Sequence, residues 1–488
     1  MTLSSQAPAD TDTARIFIGG TYREAARTIP VIDAATGEAF ADGPNATTSD
    51  VDDAVAAARE DPALRWASAA PAERAEVLKR YAAALRSRGE DTARIVCREN
   101  GMPITLSRAV NGIFPAALVG YYAKLVKAWE PEETRPALVG HTVVRREPVG
   151  VVGAITPWNY PQALAIMKIA PALAAGCRVV LKAAPETALD ALVFADAAVE
   201  AGLPPGVLSV VPGDSEAGAH LVSHPGIDKV AFTGSTNAGR LIGAECGRLI
   251  KPVTLELGGK SAAVILDDAD LEATVAGLRT ASFVNNGQTC HLSSRILVPN
   301  SRYAEFVTAI ANLATSLKVG DPLDETTDVG PLVSARQRDK VLEYIEIGRS
   351  AGARLVAGGS VPRDRPHGWY VAPTVFADVD NRDRIAQEEI FGPVITIIGY
   401  DDESEAIRMA NDTEFGLAGT VWSRDTGRAL EVARAMHTGS VGVNHYQLDI
   451  QSPFGGVKSS GLGRELGPEG LDAYRITKSI YCADPISG

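Results

Sequence analysis

Cysteine is scarce and odd in number, five among 488 residues, which excludes a disulfide framework. Free thiols of this kind fit a reducing compartment, so the expected location is cytoplasmic. No uncharged apolar run reaches the roughly 18 residues that a membrane-spanning helix needs. The opening segment MTLSSQAPADTDTAR is polar and lacks the apolar stretch of a secretory signal. Positive charge is in deficit: 47 Lys and Arg against 60 Asp and Glu leave a net charge of −13. That sign argues against nucleic acid or an anionic membrane as partner. A small anionic ligand stays open, because backbone donors at a helix N-terminus override a global field. Internal repeats, low-complexity tracts and long linkers are missing too.

What remains is ordinary globular material, 45% hydrophobic and 22% charged. The length corresponds to about three domains' worth of chain, enough to form cores without covalent staples. Residues 16–20 alternate and turn at Gly19-Gly20, predicting an N-terminal hairpin. Helical patterns cover 50–60, 72–87 and 91–100, the last stopped by Gly101 and Pro103. From Val149 the pattern changes. Short apolar runs at 149–155, 178–181, 207–211, 229–232 and 253–257 alternate with helix-length segments closed by Gly or Pro. That alternation predicts a doubly wound parallel sheet, which binds nucleotides at the carboxyl ends of its strands. A second α/β region runs from about 261 to 454, with strands expected at 262–266, 295–298, 394–400, 419–422 and 440–444. A lone β-prone stretch at 476–481 has to pair with something, which hints at a subunit contact.

A Rossmann fingerprint would place GxGxxG directly after a strand. Gly461-Leu462-Gly463 fails that test, because the next glycine, Gly467, is one position late and no strand precedes it. The better phosphate site is Phe232-Thr233-Gly234-Ser235, where a strand ends and a helix begins at about 237; the competing reading is an N-capping serine or threonine. Cys290 ends a Gly-Gln-Thr-Cys turn after a helix expected over 271–286, which exposes a thiol on a loop; the competing reading is a buried small hydrophobe. Glu256 closes an apolar strand between two leucines, so desolvation would raise its pKa toward that of a general base; otherwise it pairs with Lys260. Thr156-Pro157-Trp158-Asn159-Tyr160-Pro161 is a stiffened turn that could aim the Asn159 amide at an oxyanion, or else Asn159 caps the following helix.

Six segments in this order, Pro-Trp-Asn, Phe-Thr-Gly-Ser, Glu-Leu-Gly-Gly-Lys, Gly-Gln-Thr-Cys, Glu-Glu-Ile-Phe-Gly-Pro and Ser-Pro-Phe-Gly-Gly, resemble the aldehyde dehydrogenase superfamily of the NAD(P)-dependent, non-phosphorylating kind. The likeness runs from about residue 16 to 481. It implies two doubly wound α/β domains: a Rossmann-like cofactor domain (1–124 and 147–257) and a catalytic domain (258–459). A small β oligomerisation element with a C-terminal tail (125–146 and 460–488) completes the fold, in a homodimer or homotetramer. It further implies that Cys290 attacks the aldehyde, that Asn159 and the Cys290 N–H hold the oxyanion, and that Glu256 activates the water that hydrolyses a thioester. Lys168 and Glu465 would form a proton relay.

For the cofactor, the resemblance puts Gly234 and Ser235 at the pyrophosphate, Glu389 and Phe391 at the nicotinamide riboside, and Lys182 at the adenosine ribose. Ile155, Thr156, Trp158, Gly213, Gly218, Phe232 and Leu257 complete that set. Many members carry Glu three residues after this Lys; here Pro185 stands there and Glu186 follows. NAD is the expected cofactor, with NADP left open. Tyr160, Leu164, Phe283, Leu448 and Phe454 would line an apolar channel for an aliphatic or aromatic aldehyde, without an arginine to clamp a carboxylate or phosphate. His291 reads as a structural or pocket-lining residue, and no metal is expected. Cys97, Cys177, Cys246 and Cys482 read as packing residues. A CoA-acylating relative is disfavoured by Glu256. A non-catalytic relative is disfavoured by the presence of Cys290, Glu256 and Asn159 together.

Overall fold

Five parallel strands form the centre of an eight-stranded sheet in a computed structural model that describes residues 14–484. They are Val151–Ile155, Arg178–Lys182, Leu208–Val210, Lys229–Thr233 and Val253–Glu256, each within a few residues of its expected place. The chain steps outward from Val151–Ile155 through the second and third strands, then returns to its other side for the fourth and fifth. That reversal opens a crevice at the carboxyl ends of the strands. Ile155 faces Lys182 and Thr233 faces Glu256 at those ends, with Phe232 opposite Ile155. The central strands are buried on both faces, which explains their unbroken apolar character. The helix Pro161–Ala175, which follows the first strand, is buried along its whole length and stops at left-handed Gly176.

Two antiparallel additions close this sheet. The expected hairpin, Arg15–Ile18 with Thr21–Glu24, joins one edge where Phe17 faces Val210. At the other edge Gly461–Leu462 pairs with Leu255 and Glu256. The expected tail of 460–488 therefore divides: Leu466, Leu471 and Tyr474 belong to the apolar core beneath the sheet. Only Arg475–Cys482 enters the small three-stranded sheet, paired along its length with His141–Pro148, which in turn pairs with Glu132–Pro136. The terminal strand thus finds its partner within its own chain. Residues 125–127 likewise stay with the core, as the end of the helix Phe114–Lys127, where Val126 is fully buried. Helical residues 104–127 are long and apolar enough to cross a membrane by length and composition alone. Half of that window is buried within the protein, and Leu118, Val119 and Tyr122 pack into the same core. Most of the polar N-terminal segment, MTLSSQAPADTDT, lies outside the described residues.

The second region is a seven-stranded sheet with apolar layers on both faces. Ser261–Ile265, Ser293–Pro299, Val394–Tyr400 and Gly419–Trp422 match expectation, while 440–444 shortens to Gly442–Val443. Two further strands, Arg354–Ala357 and Thr374–Ala377, extend the sheet at its far edge.

Candidate active site

The helix Leu271–Phe283 ends three residues before its expected limit because Asn285 and Asn286 turn left-handed, at φ 53° and 57°. Asparagine tolerates this region when its side chain finds local partners. The Asn286 amide donates to the carbonyls of Gly101 and Pro331 (2.9 and 2.8 Å) and accepts the Gly330 N–H at 2.6 Å. Gln288 accepts the Val333 N–H. At Gly287 a Cβ would lie 2.0 Å from the Gly392 carbonyl, so only glycine fits. The loop is pinned from several sides, and Cys290 stands on it half-buried as a residue, whereas Cys97, Cys177 and Cys246 are buried. Burial pushes the Cys290 thiol up to about 12, with the Glu389 and Glu256 carboxylates adding to the shift. It is therefore protonated at neutral pH and needs a base to become a nucleophile.

Asn159 does not cap the following helix. Its Nδ2 donates to the Gln288 carbonyl at 3.1 Å, two residues before Cys290, leaving a second amide hydrogen unengaged among the described contacts. Glu256 stands beside Thr233 and Gly461 at the end of its strand and is 3% exposed. Among the described residues neither of its carboxylate oxygens has a hydrogen-bond partner, and no ion pair joins it to Lys260. Burial and the Glu465 carboxylate hold Glu256 well above the usual range, against the pull of Lys168 and Arg464. Lys168, fully buried in Pro161–Ala175, bridges Glu465 at 2.7 Å and the Thr233 hydroxyl at 2.6 Å. The expected relay pair is thus in direct contact, with its carboxylate neighbouring Glu256.

One side of Cys290 opens into a cavity of about 570 Å³. Trp158, Gly234, Ser235, Leu257, Glu389 and Phe391 line it, six of the twelve expected cofactor residues. Ser235 is the N-cap of Thr236–Leu249, its Oγ accepting the Ala238 N–H, and it also lines the cavity. Trp158 and Phe391 meet edge to face at 5.4 Å across the two halves, with Phe391 held at φ 62°. Glu389 accepts the Gly259 N–H at 3.0 Å.

Lys182, Gly213 and Gly218 come together just behind this wall. Lys182 donates to the Gly213 carbonyl at 2.7 Å and its stem lies beside Gly218; burial pushes its ammonium down to about 8. Ile155, Thr156 and Phe232 are buried beneath. The wall also holds Glu186, Asn237, Arg336, Gln337 and Lys340. Only Glu186 had drawn notice in the sequence. For Arg336 and Gln337 the available signal was the polar cluster Ser334-Ala-Arg-Gln-Arg at the start of Ala335–Ser350. A volume of this size, a helix N-terminus and flanking carboxylates suit an elongated, charged nucleotide.

Cys290 also packs against the large apolar core that contains Leu164 and Phe454, as do Tyr160, Leu448 and Ile450. Phe283 is the exception among the expected channel residues. It closes its helix on the face turned to the second sheet and packs with Leu278 and Trp422. The Tyr160 hydroxyl pairs with Thr289 at 2.8 Å. His291 stacks on Tyr446 at 4.8 Å and meets Phe454 edge-on; burial pushes the imidazole down to about 4, so it is neutral. Tyr446 was absent from the sequence reading, as was the bond from its hydroxyl to Ser440. Tyr446, Leu448 and Phe454 also line a neighbouring cavity of about 350 Å³, which among the described residues has no Lys or Arg in its wall.

One group elsewhere has the composition of a metal site: Asp52, His220 and His224. Its geometry is that of a hydrogen-bond cluster. His224 Nδ1 accepts the Gly226 N–H, so the neutral ring carries its proton on Nε2, which faces Asp52.

Comparison with known proteins agrees with this geometry. Residues 22–480 match the model of the aldehyde dehydrogenase family. The chain is 54% identical over 474 residues to a geranial dehydrogenase of Castellaniella defragrans, covering 96% of this chain and 99% of that one. A solved Mycobacterium tuberculosis aldehyde dehydrogenase complexed with NAD+ superposes with a TM-score of 0.93 at 46% identity, covering 96% and 97% of the two chains. A Pseudomonas syringae aldehyde dehydrogenase C mutant, solved with NAD+ and octanal, superposes at 0.94 with 39% identity, covering 98% and 99%.

Proposed function

Because the chain belongs to the aldehyde dehydrogenase family, we propose that its own substrates are extended, apolar aldehydes. As a family member it is an oxidoreductase that converts an aldehyde to the carboxylic acid with reduction of NAD. The apolar core against which Cys290 packs, with neutral His291 next to it in the chain and stacked on Tyr446, carries the substrate reading. Burying an aliphatic chain there contributes roughly 0.8 kcal/mol per methylene, whereas an anionic tail would find no Lys or Arg in the wall of the neighbouring cavity. The geranial and octanal named for two relatives are of the favoured kind.

In this reading the Cys290 thiol gives its proton to water in the adjoining cavity, and the sulfur forms a bond to the aldehyde carbon as the carbonyl electron pair moves onto oxygen. The free Asn159 Nδ2 hydrogen and the Cys290 N–H receive that oxyanion, which exists only after attack. Bound NAD supplies the hydride acceptor, and loss of hydride leaves the carbon on Cys290 as a thioester. Glu256 then takes a proton from water as the water oxygen attacks, and the C–S bond breaks to release the acid. Glu465 and Lys168, in contact behind Glu256, offer the route by which that proton departs. Water rather than CoA resolves the thioester, because Glu256 is present to activate it.

Glu186 on the cavity wall, near Lys182, supports NAD over NADP: its carboxylate would repel a 2′-phosphate. The small sheet exposes Ile476, Ile480 and Tyr481, an apolar strip suited to a second copy of this chain. The free thiols suit a reducing, cytoplasmic setting.

The test is a panel of geranial, octanal, benzaldehyde, betaine aldehyde and succinic semialdehyde, run with NAD and NADP in parallel. The highest kcat/KM is expected for geranial or octanal with NAD. A preference for betaine aldehyde or the semialdehyde would overturn the substrate reading.

A further inference from the structure

The segment carrying Asn159 is held from behind by residues outside the motifs. The Asn159 carbonyl accepts two side-chain amides, from Asn285 at 2.9 Å and Asn100 at 3.3 Å. The Asn100 amide also donates to the Trp158 carbonyl at 2.5 Å. Asn100 is fully buried at the end of the helix Gly89–Asn100, far away in sequence. Its two described contacts on this segment fix consecutive peptide planes, 158 and 159, and thereby the direction in which the Asn159 side chain leaves the backbone.

The neighbouring residue anchors the same helix end. Glu99 accepts the N–H groups of Leu189 and Asp190 at 2.8 and 3.2 Å. Asp190 in turn accepts the Gln162 amide at 2.7 Å, three residues after Asn159. Both carboxyls are buried, and burial raises both, Asp190 to about 7, with the Asp190 carboxylate adding to the shift at Glu99. Two consecutive residues thus grip the turn on both sides of Asn159, one through its carbonyls and one through Gln162.

We propose that Asn100 is a positioning residue for the oxyanion, acting through Asn159, with Glu99 and Asp190 anchoring the strut that carries it. The inference rests on the reading of Asn159 as the oxyanion donor. In the Michaelis complex the aldehyde oxygen must meet an amide hydrogen whose direction is already set, and small misplacements of such a donor cost about a hundredfold in rate. Asn285 makes a similar contact but belongs to the nucleophile's own loop. Asn100 therefore isolates the effect.

The test is a double-mutant cycle of Asn100→Ala and Asn159→Ala, read as kcat/KM for octanal. Alkylation of Cys290 by iodoacetamide, which forms no oxyanion, is the control. Asn159→Ala is expected to lose about 10²- to 10³-fold and Asn100→Ala about tenfold. In the Asn159→Ala background the second change should cost less than about threefold, since it has nothing left to position. Alkylation should stay within about twofold throughout. Asn100→Leu, which is close in size and has no donor, replaces the alanine variant if that does not fold. If Asn159→Ala retains full activity, the oxyanion reading itself fails. If Asn159→Ala is impaired but Asn100→Ala is silent, or costs threefold or more in that background, the inference fails and the oxyanion reading stands. A parallel fall in alkylation also overturns it, because Asn100 would then support the thiol's loop.

Discussion

Cys290 lines the larger of two cavities and packs against the apolar core that holds Leu164 and Phe454, so its surroundings differ in character. On the cofactor side Glu186, Glu389, Arg336 and Lys340 share a wall with a helix N-terminus. On the side assigned to the aldehyde, Leu448 and Phe454 line the smaller cavity with Tyr446, and the His291 imidazole stacked on Tyr446 is held neutral. A charged nucleotide and an apolar chain can therefore approach one thiol from different directions without competing for surface. The contrast also explains why the thiol and its base are dormant: both face low-dielectric surroundings, and both hold their protons above their usual ranges.

If the two sides are independent, changes should divide cleanly between them. Cys290→Ala, at the junction, is expected to lose at least about a thousandfold in turnover while NAD affinity, measured by fluorescence titration, stays within about threefold. Glu256→Gln comes next, with steady-state turnover down about a hundredfold or more. A rapid first turnover should survive in stopped flow, because hydrolysis fails while acylation does not. In the wild type, kcat/KM should climb as pH rises from about 6 to 9: thiol and carboxyl have raised pKa values, and their reactive forms are the deprotonated ones. A profile that is flat over that range would contradict the assigned burial effects.

Smaller effects test each side alone. Leu448→Asp should raise KM for octanal about tenfold or more and leave KM for NAD unchanged. Glu186→Gln should do the reverse, narrowing the NAD over NADP preference about tenfold without altering the ranking of aldehydes. Crossed effects in either variant would break the division.

The same contrast runs through what could be read from sequence. The crevice strands were legible because burial on both faces demands unbroken apolar runs between Gly and Pro stops. Cys290, Glu256 and Asn159 stood out in short, rigid motifs. The structure then resolved what each motif left open: Asn159 points at the Cys290 loop rather than capping its helix, and Glu256 is free of Lys260. Arg354–Ala357 and Thr374–Ala377 were illegible because four-residue strands at a sheet edge carry too little periodicity. Phe283 was misplaced because helical phase within a short motif does not say which of two cores a side chain faces. Asn100 and Asp190 gave no signal at all. A buried polar residue acquires meaning only from partners that are distant in sequence.

The central claim is that a covalent acyl intermediate forms on Cys290 and waits for Glu256. Glu256→Gln mixed with NAD and octanal, acid-quenched within a few turnovers and digested, tests it directly by mass spectrometry. The account predicts an octanoyl group on the peptide carrying Cys290, absent when NAD is omitted and absent in Cys290→Ala. Acid production without any such adduct, or an adduct on another cysteine, would contradict it.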